Sequence, residues 1–225
     1  MRQLLAMSRR DIFKEAMGLS PILSSGKLFE KGDVTDSLIN RGLWLNHEAY
    51  QVGYIGAAVS LLDLIKMSDS NSIKDSYIFV ALFCFRHYLE LTMKDSLINY
   101  YDNKERTDIV NGYGHDLVKL YNEIIKLPNV QQDNTTNTIS NIINTLQGID
   151  STGTVFRYPY KIDGETGKIC SSFNVNIGLK SIPVLRKRML QMYLFFDGIN
   201  MMVHDYERNG MRNFKRNVTS DKTSI

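Results

Sequence analysis

At 225 residues and 43% hydrophobic content, the chain is long enough to bury one full core, and it reads as a single domain over residues 1–209 with a basic tail over 210–225. A formal charge of +3 permits a nucleic-acid partner without demanding one. The two cysteines, Cys84 and Cys170, lack Cys-x-x-Cys or His-rich spacing, which argues against a disulfide framework or a zinc site and for a reducing cytoplasm.

In chain order, MRQLLAMSRRDIF has charges interrupting its apolar residues, so neither export nor membrane insertion is expected. Ser8 and Asp11 open a short predicted helix that ends at Ser20 and Pro21. A second, longer helix is predicted from about Asp36 to Ile65, where Gly53 and Gly56 point to close helix packing. The polar stretch 66–74 is a loop. The third helix, about Ile73 to Tyr101, contains the almost wholly apolar run Tyr77 to Phe85 and is the candidate centre of a bundle. A fourth helix is predicted from Asp116 to Leu127, stopped by Pro128. The Asn and Thr cluster 133–138 reads as a loop before a short helix near Ile139 to Leu146. Residues 154–177 then read as a β-hairpin around Gly164 to Gly167, with Pro159 at its edge or in a bulge. A last helix opens at Ser181 and runs to about Glu207, and with the third it is read as the long central pair. The expected fold is mainly α: a bundle of five or six helices with one small β-hairpin insertion.

The sequence has no Gly-rich phosphate loop, no His-Glu-x-x-His, no Gly-x-Ser-x-Gly and no calcium loop. Three polar constellations remain on apolar scaffolding. Arg86 and Glu90 are four apart and share a helical face, and His87 lies three before Glu90, so the three are expected to form one cluster. His115, between Gly114 and Asp116, stands where a helix begins, and either the His or the Asp can cap it. Arg157, in Phe-Arg-Tyr-Pro on the expected first strand, has aromatic neighbours over which a guanidinium could stack. The purely structural alternatives are a buried Arg86–Glu90 bridge, a capping His115, and an Arg157 that receives Glu90 or Asp116 and pins the hairpin to the bundle. The Met-rich last helix is read as adaptable core or an interaction face, and His47 as a satisfied core histidine.

The order FRHYLELTMK, GHDLVKLYNEI and FRYP followed by a glycine turn resembles uncharacterised prokaryotic helical proteins of the HEPN-like superfamily, over Tyr77 to about Phe173. That resemblance implies a helix bundle that dimerises and works in anti-phage defence or toxin–antitoxin systems with a protein partner. Many such proteins are metal-independent endoribonucleases acting on RNA without a cofactor; others are noncatalytic. The superfamily's catalytic Arg, four to six residues beginning with a polar one, then His, is matched in spacing only by Arg41 and His47, and there Gly42 replaces the polar residue. The candidate catalytic set is therefore Arg86, His87, Glu90, His115 and Arg157, with Arg41 and His47 as the alternative pair. The rival expectations are a noncatalytic dimerising or docking module and an anion- or nucleotide-sensing bundle in which Arg86 and Arg157 hold the anion.

Overall fold

The structure, a computed structural model, describes residues 45–101, 109, 112–172 and 181–208. The expected first helix, Arg41, the start of the second helix and the basic tail lie outside these residues. Among them the fold is mainly α: five helices and one two-stranded antiparallel sheet. In order these are α1 (Leu45–Met67), α2 (Asn71–Tyr100), α3 (Leu117–Ile124), α4 (Asn134–Ile149), β1 (Tyr160–Ile162), β2 (Ile169–Ser171) and α5 (Ile182–Arg208).

Helix α2 has neither Gly nor Pro along its 30 residues, so nothing interrupts it over about 45 Å. Ser70 caps it by accepting the Ile73 amide. The short link over 68–70 turns the chain back, and α1 and α2 pack as an antiparallel pair in which Tyr54 meets His87 and Gln51 reaches Asp95. This is the most extensive helix pairing in the structure; α5 packs on both members, so the two longest helices do not form the central pair by themselves. Arg186 of α5 fastens to Asp63 of α1 through two hydrogen bonds of 2.8 and 3.0 Å. The apolar faces of all five helices meet in one core around Leu62, Leu89, Leu97, Leu120, Ile143 and Phe196, and each such fully buried side chain contributes about 1.5–3 kcal/mol. On α5, Met189, Met192, Phe196, Ile199 and Val203 recur at helical spacing and are buried, whereas Met201 is exposed.

Several expectations are corrected. Helix α4 begins at Asn134, not near Ile139, because Asp133 and Thr136 form a reciprocal capping box that draws the Asn/Thr cluster into the helix. Among the described residues nothing would stand within 4 Å of a Cβ at Gly53 or Gly56, so neither marks a close helix packing there. Phe79 and Val80 are exposed, so the apolar run of α2 is buried on one side only. The hairpin is shorter than expected: residues 154–158 form a turn, since one carboxylate oxygen of Asp150 takes the amides of Thr154 and Val155 and holds that stretch off the sheet. Arg157 therefore precedes the first strand instead of lying on it. Pro159 sits just outside β1, where its carbonyl accepts the Ser172 amide. The tip is closed by Asp163, which accepts from the Glu165 and Thr166 amides, and by Gly167 at φ 65°. No helix among the described residues is long and apolar enough to cross a membrane.

Candidate functional site

Helical periodicity on α2 lines up Arg86, Glu90 and Lys94 at successive i, i+4 positions. Against this stripe fold two connections. The first is the turn before α3, where Gly114 adopts φ 50° and Asp116 caps α3 by accepting the Lys119 amide. With Asp116 serving as the cap, the His115 ring is turned toward α2. The second is the segment after α4, nucleated by Asp150, which is completely buried.

Arg86, 3% exposed, organises both connections. Its Nη2 donates to the His115 carbonyl at 2.7 Å, its Nε to the Asp150 carbonyl at 3.2 Å, and its Nη1 to Glu90 at 3.5 Å. The second Asp150 oxygen lies 3.4 Å from Arg86 Nε and has no hydrogen-bond partner among the described residues, so charge alone compensates it. Burial lowers the Arg86 pKa from its ordinary value, opposed by the charges of Asp150 and Glu90.

Glu90 is also 3% exposed and accepts from Lys94 at 2.8 Å. The His115 Nδ1 lies 3.0 and 2.9 Å from its two oxygens. His115 is thus clamped twice by α2, at its carbonyl and at its ring, while half of its side chain remains exposed and its Nε2 makes no hydrogen bond within the described residues. Burial by itself would raise the Glu90 carboxyl, but the hydrogen bonds and charges of Lys94 and His115 outweigh it and hold it below the ordinary carboxylate value.

Gly153 joins this network to Arg157. It is buried at φ 73°, and a Cβ there would stand 3.0 Å from Arg86 Nη1 and 3.4 Å from His115 Cβ. Its carbonyl accepts from Arg157 Nε at 2.8 Å, and the guanidinium lies 5.7 Å from the Phe83 ring centre and 5.8 Å from that of Tyr158. Arg157 contacts neither Glu90 nor Asp116 through a hydrogen bond or ion pair. His87 departs from the expected cluster as well: its ring stacks on Phe83 and meets the edge of Tyr54 instead of bonding Glu90. Burial lowers its pKa; Glu90 opposes this, and Arg157, His115 and Lys94 reinforce it. The structure therefore brings Arg86, Glu90 and His115 into direct contact and sets Arg157 and His87 beside them.

The alternative pair is divided, since Arg41 lies outside the described residues. His47 is exposed rather than core, and its Nδ1 lies 3.3 Å from Asp95. Behind Asp95 runs a polar network that sequence reasoning missed: Gln51 donates to Asp95, Asn200 to Gln51 and to Thr92, and Ser96 bonds Asn200. Thr92 and Ser96, four apart among buried positions of α2, were the available signal. Lys94, Asp150 and Gly153 were also missed, and only Lys94, four beyond Glu90, was within reach of a spacing rule.

Among the described residues no group of three His, Cys, Asp or Glu side chains is placed to hold a metal ion. A groove of about 560 Å³ runs between Asp63 and Lys66 of α1 and Pro183, Arg186 and Lys187 of α5, and none of Arg86, His87, Glu90, His115 and Arg157 lines it. No protein family, curated protein or solved structure matches the chain.

Proposed function

We propose that this chain is a HEPN-like component of a prokaryotic anti-phage defence or toxin–antitoxin system, acting in the cytoplasm as a metal-independent endoribonuclease together with a protein partner. The observation that carries the chemistry is the Glu90–His115 dyad: a buried carboxylate on both oxygens against Nδ1, with the imidazole half-exposed. Such a carboxylate fixes the tautomer with the proton on Nδ1 and leaves Nε2 as the base. Nε2 accepts the 2′-hydroxyl proton as that oxygen bonds to phosphorus, and returns it to the 5′-oxygen as the phosphorus–oxygen bond breaks. Glu90 stabilises the imidazolium formed between these steps. The resemblance of FRHYLELTMK, GHDL and FRYP, together with the bundle, supports the wider assignment.

One observation favours a noncatalytic dimerising or docking module instead. Arg86 directs its donors at two backbone carbonyls and a buried acid, which is what a purely structural staple does. Induced expression with total RNA examined for cleavage separates the two. His115→Ala should abolish cleavage, a loss of about 10²–10⁴-fold for one acid–base group, while the chain stays folded. Cleavage unchanged in folded His115→Ala sinks the nuclease reading and leaves the docking module.

A further inference from the structure

Beside the dyad, on the opposite side of Gly153, lies a second feature that proton transfer does not use. Arg157 is held in one place at three points: Nε on the Gly153 carbonyl, and the guanidinium near the rings of Phe83 and Tyr158. Its Nη1 and Nη2 make no hydrogen bond within the described residues. Tyr158 is 54% exposed. A guanidinium fixed at one nitrogen, with its remaining donors directed elsewhere and an exposed aromatic ring alongside, matches the two parts of an unpaired nucleotide: two donors for a phosphate and a π-face for a base.

Resting on the nuclease reading, we propose that Arg157 and Tyr158 form the subsite that holds one unpaired nucleotide of a single-stranded RNA, so that the adjoining phosphodiester reaches His115. The linkage is short. A Cβ added at Gly153 would stand 3.4 Å from His115 Cβ, and the Gly153 carbonyl bonds Arg157, so one residue separates the base from the anchor. Arg157 is exposed, while the acids Glu90 and Asp150 are withdrawn into the interior, Glu90 paired there with Lys94. Duplex RNA keeps its bases stacked on one another and offers Tyr158 no free face, so the subsite selects single strands.

Fluorescence anisotropy of the full chain tests this, with a labelled ten-nucleotide RNA made uncleavable by 2′-O-methylation and the duplex of the same strand as probes. Tyr158→Ala and Arg157→Gln should each weaken single-strand binding about tenfold and leave duplex binding unchanged, and Tyr158→Phe, which keeps the ring, should restore affinity. Equal single-strand affinity in all variants overturns the subsite, as does equal wild-type affinity for the two probes or failure of Tyr158→Phe to rescue. Cleavage of the unmodified strand by His115→Ala is scored separately. If it persists while Tyr158→Ala loses binding, the dyad fails and the subsite stands; the reverse outcome removes the subsite alone.

Discussion

Helix α2 carries two acids five residues apart, Glu90 and Asp95, and each faces a histidine from another element. Their settings differ. Glu90 is 4% exposed at its side chain, receives Lys94 and Arg86, and meets His115 Nδ1 through both oxygens at 3.0 and 2.9 Å. Asp95 is 17% exposed at its side chain, receives Gln51, and meets His47 through one oxygen at 3.3 Å, with His47 66% exposed. A histidine is held in a fixed orientation when its acid is buried and its own backbone is anchored, and only His115 meets both conditions. The pair of acids shows that a carboxylate near an imidazole is not enough; the immobility of the acid decides what the imidazole can do.

The comparison breaks most decisively on stability. Arg86→Ala leaves Glu90 and Asp150 buried without their shared cation and should cost about 3–5 kcal/mol in urea unfolding, against about 1–2 kcal/mol for Asp95→Ala, where a partly wetted hydrogen bond is lost. Equal losses would mean that the two ends of α2 are held alike. A smaller effect comes from Gly153→Ala, which places a Cβ against Arg86 at φ 73° and should destabilise by about 1–3 kcal/mol; Gly56→Ala, on a helix with no neighbour within 4 Å among the described residues, should stabilise by about 0.5–1 kcal/mol. Thermal melts of the two variants should therefore move in opposite directions, and a shared direction would remove the tight fit assigned to Gly153.

The smallest effect is in pH. The folded-state pKa values of His87 and Glu90 are both depressed, so each contributes stability that is complete above its ordinary value and declines as pH falls toward its folded value. The decline begins below 6.5 for His87 and below 4.5 for Glu90. His87→Phe should flatten the stability profile in the upper window and leave the lower one, read as urea midpoints at stepped pH. An unchanged upper window would show that His87 does not titrate with folding.

What was legible in the sequence followed from helical geometry. Arg86 and Glu90 meet because residues four apart share a face, and α5 forms because its apolar spacing and early proline allow little else. Asp150 and Gly153 were hidden for a different reason. Their partners are backbone carbonyls, amides and a positive φ, which have no side-chain signature, and the stretch containing them reads as ordinary loop. Helix α4 was read short because Asn and Thr composition masked a cap that depends on the reciprocal bonds of Asp133 and Thr136. His87 was misplaced because three-apart spacing allows contact with Glu90 without compelling it, and the rings of Phe83 and Tyr54 offered the better-packed position.

Arg86 reaches His115 across 29 residues of chain and Asp150 across 64. A ribosome adding residues in order has finished α1 and α2 before either of those partners exists, so Glu90 is first made as an ordinary wetted acid on a helical hairpin with no imidazole to orient. The site is therefore a property of the chain made at least as far as Asp150 and not of the helical hairpin that precedes it.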